Sequence, residues 1–258
     1  MSAVDLYTKT LYEKYKYLAN WLPNSHISLG DIGYITGNKF KKEKSLTDLG
    51  IKFTPIPGKN IIDDLSLHYK ALIKFDAVGK ADVALDETIS VGSGNAKITF
   101  EDEGSFTFDA LSCKTTGIAN KGEVGEAIKE LYKKNNNSWN KDWYVVDELV
   151  TAKSASIIVS LSKNSQIELG VNAKLPSFNL ANPKASIKMK AQEGEIMKII
   201  AEKSISPLFN TSKLKNSFLG GLLRSKKSLR FGGEVNKQTE LANSSDIEYP
   251  FWERYELI

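Results

Sequence analysis

Residues 139–152 read Trp139-Asn-Lys-Asp-Trp-Tyr-Val-Val-Asp-Glu-Leu-Val-Thr-Ala152, and they open the stretch that decides the fold. From Tyr144 onward, odd and even positions define the two faces of the pattern. Apolar side chains occupy both faces at first and become fewer towards Ala152. This pattern predicts a β-strand that is central in a sheet where it begins and wetter where it ends. Strict alternation also assigns the adjacent carboxylates Asp147 and Glu148 to opposite faces of that strand.

More alternating segments follow within a short distance, up to Ile205. They are residues 155–162, 166–174, 184–191 and 196–201. Lys163-Asn164-Ser165 has the composition of a turn, because Asn tolerates a left-handed backbone and Ser bonds to its own backbone. Strands joined by such short turns are antiparallel, since a parallel return needs a long crossover. Most of them have one apolar and one polar face, which predicts a sheet with one dry side and one wet side.

The residues before this stretch indicate two helices and more of the same sheet. Apolar side chains three or four residues apart, from Val4 to Leu22, predict an N-terminal helix that Ser2 or Asp5 caps. A second helix is predicted over residues 122–134. Residues 65–85 alternate as one long strand, and residues 96–100 are expected to form a hairpin with residues 106–110. The predicted fold is therefore α+β: a large twisted antiparallel sheet with an N-terminal helix and one central helix, in a domain of residues 1–205.

Composition excludes several classes of protein. The 258 residues carry 35 Lys and Arg against 31 Asp and Glu, a net charge of +4, which is too small and too dispersed for a dedicated nucleic-acid binder. A single cysteine, Cys113, excludes an intrachain disulfide framework. We recognise neither a signal peptide nor an apolar run of about 20 residues. We therefore expect a cytoplasmic protein.

No catalytic motif or metal-ligand pattern emerges from the sequence. The only histidines are His26 and His68, and no second cysteine accompanies Cys113, so we expect no metal site, no cofactor and no enzymatic activity. A hydrolase that uses two carboxylates stays open at this point, because such a pair has no fixed spacing in sequence.

Residues 206–258 differ in character from the rest. No Asp or Glu occurs from Lys203 to Gly233, whereas acidic residues predominate from Glu234 to Ile258 and end in an aromatic cluster. Basic and apolar side chains mixed in this way suit an acidic lipid surface, although a solvated loop and helix that covers the sheet is the simpler interpretation. The candidate lipid-binding residues are Lys213, Lys215, Phe218, Leu219, Leu222, Leu223, Arg224, Lys226, Lys227 and Arg230.

The strand Trp143-Tyr-Val-Val-Asp-Glu-Leu-Val-Thr-Ala152, with the later strand Glu195-Ile-Met-Lys-Ile-Ile-Ala-Glu202, resembles the later half of a gasdermin pore-forming domain. Asp147 stands where that family often has Thr, and the N-terminal lipidated cysteine of bacterial members has no counterpart here. The resemblance implies oligomerisation on acidic lipids and membrane permeabilisation after release of a C-terminal inhibitory segment.

Two functions are therefore predicted. The first is a non-enzymatic, membrane-interacting and pore-forming effector that becomes a homo-oligomer when active. In this hypothesis its acidic aromatic tail, residues 234–258, folds back on the basic segment and keeps the protein soluble. The alternative is a soluble β-rich binding module that recognises a protein or a small molecule through its sheet edge or its loops.

Overall fold

The computed structural model describes residues 2–22, 25–58, 64–68, 73–77, 96–135, 138–169, 196–201, 204–215 and 252–257. In these ranges the helices are α1 (Ala3–Tyr15) and α2 (Lys121–Lys134), with one 3-10 turn at Thr47–Leu49. The strands are β1 (Leu18–Ala19), β2 (Asp31–Thr36), β3 (Lys39–Ser45), β4 (Pro55–Pro57), β5 (Leu65–His68), β6 (Ile73–Ala77), β7 (Ala96–Phe100), β8 (Phe106–Leu111), β9 (Lys114–Ile118), β10 (Tyr144–Ala152), β11 (Ser154–Ser160), β12 (Ser165–Leu169), β13 (Ile196–Ala201), β14 (Ile205–Leu214) and β15 (Trp252–Arg254).

Every strand pair among these elements is antiparallel. The largest sheet has the order β1-β14-β10-β2-β3, with β15 beside β14, β9 beside β10 and β4 beside β9. A second sheet has the order β13-β11-β8-β5, and a third has the order β12-β7-β6. The predicted α+β class with a large antiparallel sheet is confirmed.

Helix α1 begins as predicted but ends earlier. Ser2 is the N-cap: its hydroxyl accepts a hydrogen bond from the Asp5 amide, and the Asp5 carboxylate accepts one from the Ser2 amide. The helix stops at Lys16, whose left-handed backbone (φ 59°) turns the chain. Leu18, predicted as helical, instead pairs with Phe209 of β14. Strand pairing with the sheet thus overrides the helical spacing of the last apolar residues.

The predicted hairpin of residues 96–100 with 106–110 is wrong. Strand β7 pairs with β6 and β12, whereas β8 pairs with β5 and β11. Residues 96–111 thus run as one long strand with a bend, and residues 154–169 run beside them with a matching bend. At the bend Gly104 has a left-handed backbone, with φ +87°. Its amide donates to the Ser160 carbonyl at 2.8 Å, and the Ser160 amide donates to the Ser105 carbonyl at 2.9 Å.

The first turn of α1 explains why this bend carries a glycine. A Cβ on Gly104 would come within 3.1 Å of the Ala3 Cα and the Leu6 side chain. The left-handed backbone and this close approach both favour glycine. The sequence Glu101-Asp-Glu-Gly104 does form a bend, but the bend joins two sheets instead of reversing the strand.

Two helices cover one face of the largest sheet. Tyr7 and Leu11 of α1 are buried with Phe106, Phe108 and other side chains of the second sheet and of β10 and β14. In α2, Val124 and Ile128 are buried with Trp139, Trp143 and Val145. Neither helix of the described ranges has the length and apolar character needed to cross a bilayer.

The predicted division after residue 205 falls at the start of a central strand. Strand β14 begins at Ile205 and lies between β10 and the short strands β1 and β15. Leu208 and Phe209 are buried. Residues 206–214, assigned to the tail in the prediction, therefore belong to the sheet in this structure, while the rest of the proposed division stays a prediction.

The long strand predicted over residues 65–85 corresponds to β5 and β6, which belong to different sheets. Its residues beyond Ala77 lie outside the described part of the chain, as does the strand predicted over residues 184–191.

Candidate functional site

The tail strand β15 lies on the edge of β14, where the backbone supplies much of the contact. Arg254, Glu253 and Trp252 face Ser212, Lys213 and Leu214 in antiparallel register. The next amide, that of Tyr255, donates to the Thr211 carbonyl at 2.9 Å. The end of the chain's acidic, aromatic region is therefore paired with the sheet.

Trp252 ties this strand to the start of helix α2. Its indole N–H donates to the carbonyl of Lys121, the first helical residue, at 2.9 Å. The ring itself is half-buried against the apolar cluster that contains Leu214, Val124 and Ile128. Trp252 combines an apolar contact with a satisfied polar group, which suits an aromatic anchor.

A β-bulge changes the direction of the two carboxylates beside β15. Val146 pairs with Thr211 and Glu148 pairs with Asn210, so Asp147 is an extra residue between two consecutive pairs. Asp147 accepts a hydrogen bond from Ser212, and Glu148 accepts one from Asn210. Ser212 and Asn210 are two residues apart on β14, so both carboxylates lie on one face of the sheet. The predicted opposite orientation of Asp147 and Glu148 is wrong for this reason.

Asp147 is buried, and its charge is compensated. Its Oδ2 atom accepts a hydrogen bond from the Ser212 hydroxyl at 2.7 Å and forms an ion pair with Lys121 Nζ at 2.5 Å. Lys121 is the same residue whose carbonyl receives the Trp252 indole. The start of α2 therefore holds a sheet carboxylate through its side chain and the tail strand through its backbone.

Glu148 makes the second polar connection to the tail strand. Its Oε1 atom accepts from the Tyr17 hydroxyl at 2.9 Å, and its Oε2 atom accepts from Asn210 at 3.1 Å and from Arg254 at 3.3 Å. The Arg254 guanidinium also lies 5.9 Å from the centre of the Tyr17 ring. Glu148 is thus an acceptor for three donors that come from three separate segments.

On the opposite face of the sheet the tail covers apolar side chains. Tyr255 and Leu257 pack against a cluster that contains Leu18, Val146, Leu149 and Phe209. The Tyr255 ring meets the Tyr144 ring edge to face, with centres 5.4 Å apart. Burial, with a smaller effect of Tyr144, raises the pKa of Tyr255. Residues 252–257 therefore contact both faces of the sheet at one edge.

A second feature is the end of the third sheet. Ala96 of β7 pairs with Ala77 of β6 on one side and with Leu169 of β12 on the other. The connection 78–95 therefore starts and ends in this row, and the connection 170–195 starts in it before the chain returns as β13. Both connections therefore begin at the same end of the third sheet.

A groove lies at another edge, between β4 and β9. It has a volume of about 410 Å³ and is lined by Pro55–Gly58 and Cys113–Thr116. Ile56 is 44% exposed there. Burial raises the pKa of the Cys113 thiol to about 11, so this cysteine is a poor nucleophile. Elsewhere in the described ranges, no three His, Cys, Asp or Glu side chains come together in a way that could hold a metal ion.

Comparison with known proteins gives a likeness to solved structures. No protein-family model matches the chain, and no curated protein matches it. The chain resembles a bacterial gasdermin. That solved structure, of a gasdermin from Bradyrhizobium tropiciagri, shares 12% sequence identity over 82% of this chain and 86% of its own, with a TM-score of 0.33. The weak resemblance expected from the strand at residues 143–152 is confirmed at this level.

Two of the ten residues predicted to bind lipid lie in the described part of the chain. Lys213 is in β14, with its Nζ atom 5.4 Å from the centre of the Tyr144 ring, and Lys215 directly follows that strand and is exposed. The predicted residues outside the described ranges are Phe218, Leu219, Leu222, Leu223, Arg224, Lys226, Lys227 and Arg230. The set as a whole stays a prediction.

Sequence reasoning missed the residues that hold the tail strand. Trp252 was visible as part of an aromatic cluster, and Arg254 was visible as an isolated basic residue in an acidic region. Nothing in the sequence indicated their partners Lys121 and Glu148, because these lie more than 100 positions away and depend on a bulge.

Proposed function

We propose that this protein is a non-enzymatic, pore-forming effector that acts on acidic lipid membranes as a homo-oligomer. We further infer that the tail, residues 234–258, keeps the resting protein soluble; its described residues 252–257 are docked on the sheet. In this proposal the protein is cytoplasmic until activation brings it to a membrane. The observation that carries the proposal is that two long connections, 78–95 and 170–195, begin at the same end of the third sheet. At that end Ala77, Ala96 and Leu169 lie side by side on neighbouring strands.

The amino-acid sequences of residues 78–95 and 170–195 have the pattern expected of strands with one lipid-facing side. In the first, Ala81, Val83 and Leu85 continue the alternation of the strand before it, and in the second, Ala185, Ile187 and Met189 alternate with polar residues. A strand that crosses a bilayer needs about 9–11 residues with one apolar face.

The position of the tail supports a role as a restraint. Residues 252–257 connect β14, β10, α2 and the segment that contains Tyr17, and they cover apolar side chains on the far face. Removing them would expose Phe209 and Tyr144 beside Lys213, an arrangement that suits an interface with lipid headgroups. A lysine near an anionic leaflet contributes about 1 kcal/mol of binding free energy.

Dye leakage from liposomes tests the proposal. We would compare the full chain, a chain that lacks residues 234–258, and the full chain with Arg254→Glu, on anionic and on neutral vesicles. We expect leakage from anionic vesicles when the tail is absent, partial leakage with Arg254→Glu, and little with the unaltered chain. Glu253→Gln, an exposed change in the same strand, is the matched control. If neither altered chain binds or permeabilises anionic vesicles, the proposal is rejected.

The groove between β4 and β9 favours a second candidate, a soluble binding module. Pro55 and Pro57 prevent further strand addition at this edge, because proline has no backbone donor, yet the exposed Ile56 and the apolar lining suit a small apolar ligand or a partner side chain. Hydrogen exchange would separate the two functions. A binding module would show protection at the amides of Ile56, Gly58 and residues 113–116 with a cell lysate and no change with anionic liposomes.

A further inference from the structure

The slot that holds β15 is built to recognise one sequence, and we propose that it also accepts that sequence from a second copy of this chain. The tail slot is formed by the edge of β14 at residues 211–214 together with Lys121, Glu148, Tyr17 and Tyr144. Two protomers would exchange residues 252–257, so that each completes the sheet of the other. The proposal concerns the resting protein and does not depend on membrane activity.

Recognition in the tail slot has two parts. The ladder to β14 and the bond from the Tyr255 amide to the Thr211 carbonyl use only backbone atoms, and they would hold any extended segment. Side chains then select the sequence. The Lys121 carbonyl requires an N–H donor where Trp252 lies, and the Glu148 carboxylate requires a cation two residues later, where Arg254 lies. This division of roles is typical of strand addition at a sheet edge.

The aromatic contacts add a third requirement. Tyr144 offers the edge-to-face partner of Tyr255, and Tyr17 offers its ring to the Arg254 guanidinium. The slot therefore fits an extended Trp-x-Arg-Tyr segment. Every copy of the chain carries that segment at residues 252–255. None of these contacts distinguishes the protomer's own segment from the same segment of a neighbour.

The connection to β15 does not restrict it to its own sheet. Residues 216–251 separate Lys215 from Trp252, and 36 residues reach at most about 120 Å. A segment tethered by a chain of this length has an effective concentration on the order of 1–10 mM at its own slot. Exchange therefore competes with self-docking when the protein concentration approaches this effective concentration. In dilute solution, exchange is measurable only when self-docking is weakened.

Charge reversal weakens self-docking in the 258-residue chain. In Glu148→Arg the slot repels its own Arg254, and in Arg254→Glu the tail is repelled by its own Glu148. Mixed together, the two variants offer two matched pairs, but only between different protomers. The double variant Glu148→Arg with Arg254→Glu restores the match within one protomer and is the control. Native mass spectrometry at about 100 µM, well below the effective concentration of a tethered tail, reports the assemblies.

We expect each single variant to be mainly monomeric, the double variant to be monomeric, and the mixture to form heterodimers. The dissociation constant of the heterodimer should be at least about tenfold below that for self-association of either variant. A mixture that stays monomeric, while the double variant regains the melting temperature of the unaltered chain, overturns the proposal.

A second pair of variants guards against misfolding of Glu148→Arg, since Tyr17 and Asn210 also depend on that carboxylate. Lys213 and Glu253 face each other in the ladder, and Glu253 is exposed. Lys213→Glu and Glu253→Lys, each combined with Arg254→Ala to weaken self-docking, should again form heterodimers only when mixed. Equal dimer populations in the mixture and in the separate variants would also overturn the proposal.

Discussion

Replacing Trp252 by Ala should detach the tail strand and leave the rest of the sheet intact. The indole donates one hydrogen bond, to the Lys121 carbonyl, and is half-buried against the cluster on α2. Loss of a hydrogen bond of this kind costs about 1 kcal/mol, and loss of a partly buried aromatic ring costs about 2 kcal/mol. The free energy that holds the tail strand should therefore fall by about 3 kcal/mol, a factor of roughly 100 in the docking equilibrium.

Native-state hydrogen exchange measures this equilibrium directly. The Tyr255 amide bonds to Thr211 across the strand pair, so it exchanges only when the tail strand opens. In Trp252→Ala its protection should fall about 100-fold, while amides in the β9–β10 ladder keep theirs. Glu253→Ala, in the same strand but exposed, should change protection by less than about threefold. Unchanged protection at Tyr255, or an equal loss throughout the sheet, would refute the reasoning.

Three further predictions concern buried or shielded groups. Lys121→Met leaves the buried Asp147 carboxylate without its cation and should lower the free energy of unfolding by about 2 kcal/mol in urea titrations, whereas Lys121→Met with Asp147→Asn should recover part of it. The Cys113 thiol, with its pKa raised to about 11, should react with a disulfide reagent at pH 8 at least about 100-fold more slowly in the native chain than in denaturant, and equal rates would contradict its burial. The raised pKa of Tyr255 means that tail docking is fully stable below pH 10 and weakens as the pH rises above it; Trp252 fluorescence should report the change, and Tyr255→Phe should abolish it.

Much of the architecture follows from local periodicity. Alternation between residues 144 and 201 predicts β10–β13 closely, and the helix predicted over residues 122–134 is α2 almost to the residue. The predicted turn at Asn164 has the expected left-handed backbone (φ 56°). These features depend on neighbours in sequence, namely side chains two or four residues apart and single residues with a special backbone preference.

Which strands pair with each other was harder to predict from the sequence. Residues 96–100 and 106–110 have the spacing of a hairpin, yet Gly104 bends the chain so that the two segments join different sheets. The bend is stabilised by Ser160 and by the first turn of α1, which are distant in sequence. The helical spacing of Leu18 was misleading for the same reason. Its partner in the sheet, Phe209, lies 191 positions later in the sequence.

The amino-acid sequence alone determined the α+β class, both helices, the antiparallel direction of the strands and the contrast between a basic segment and an acidic, aromatic tail. These properties are averages over many side chains, and no single contact alters them. Only the tertiary structure decided which strands pair, where β10 bulges and which residues receive the tail. The bulge is the deciding case, because one unpaired residue turns Asp147 to the same face as Glu148 and thereby brings Lys121 and Arg254 to one edge of the sheet.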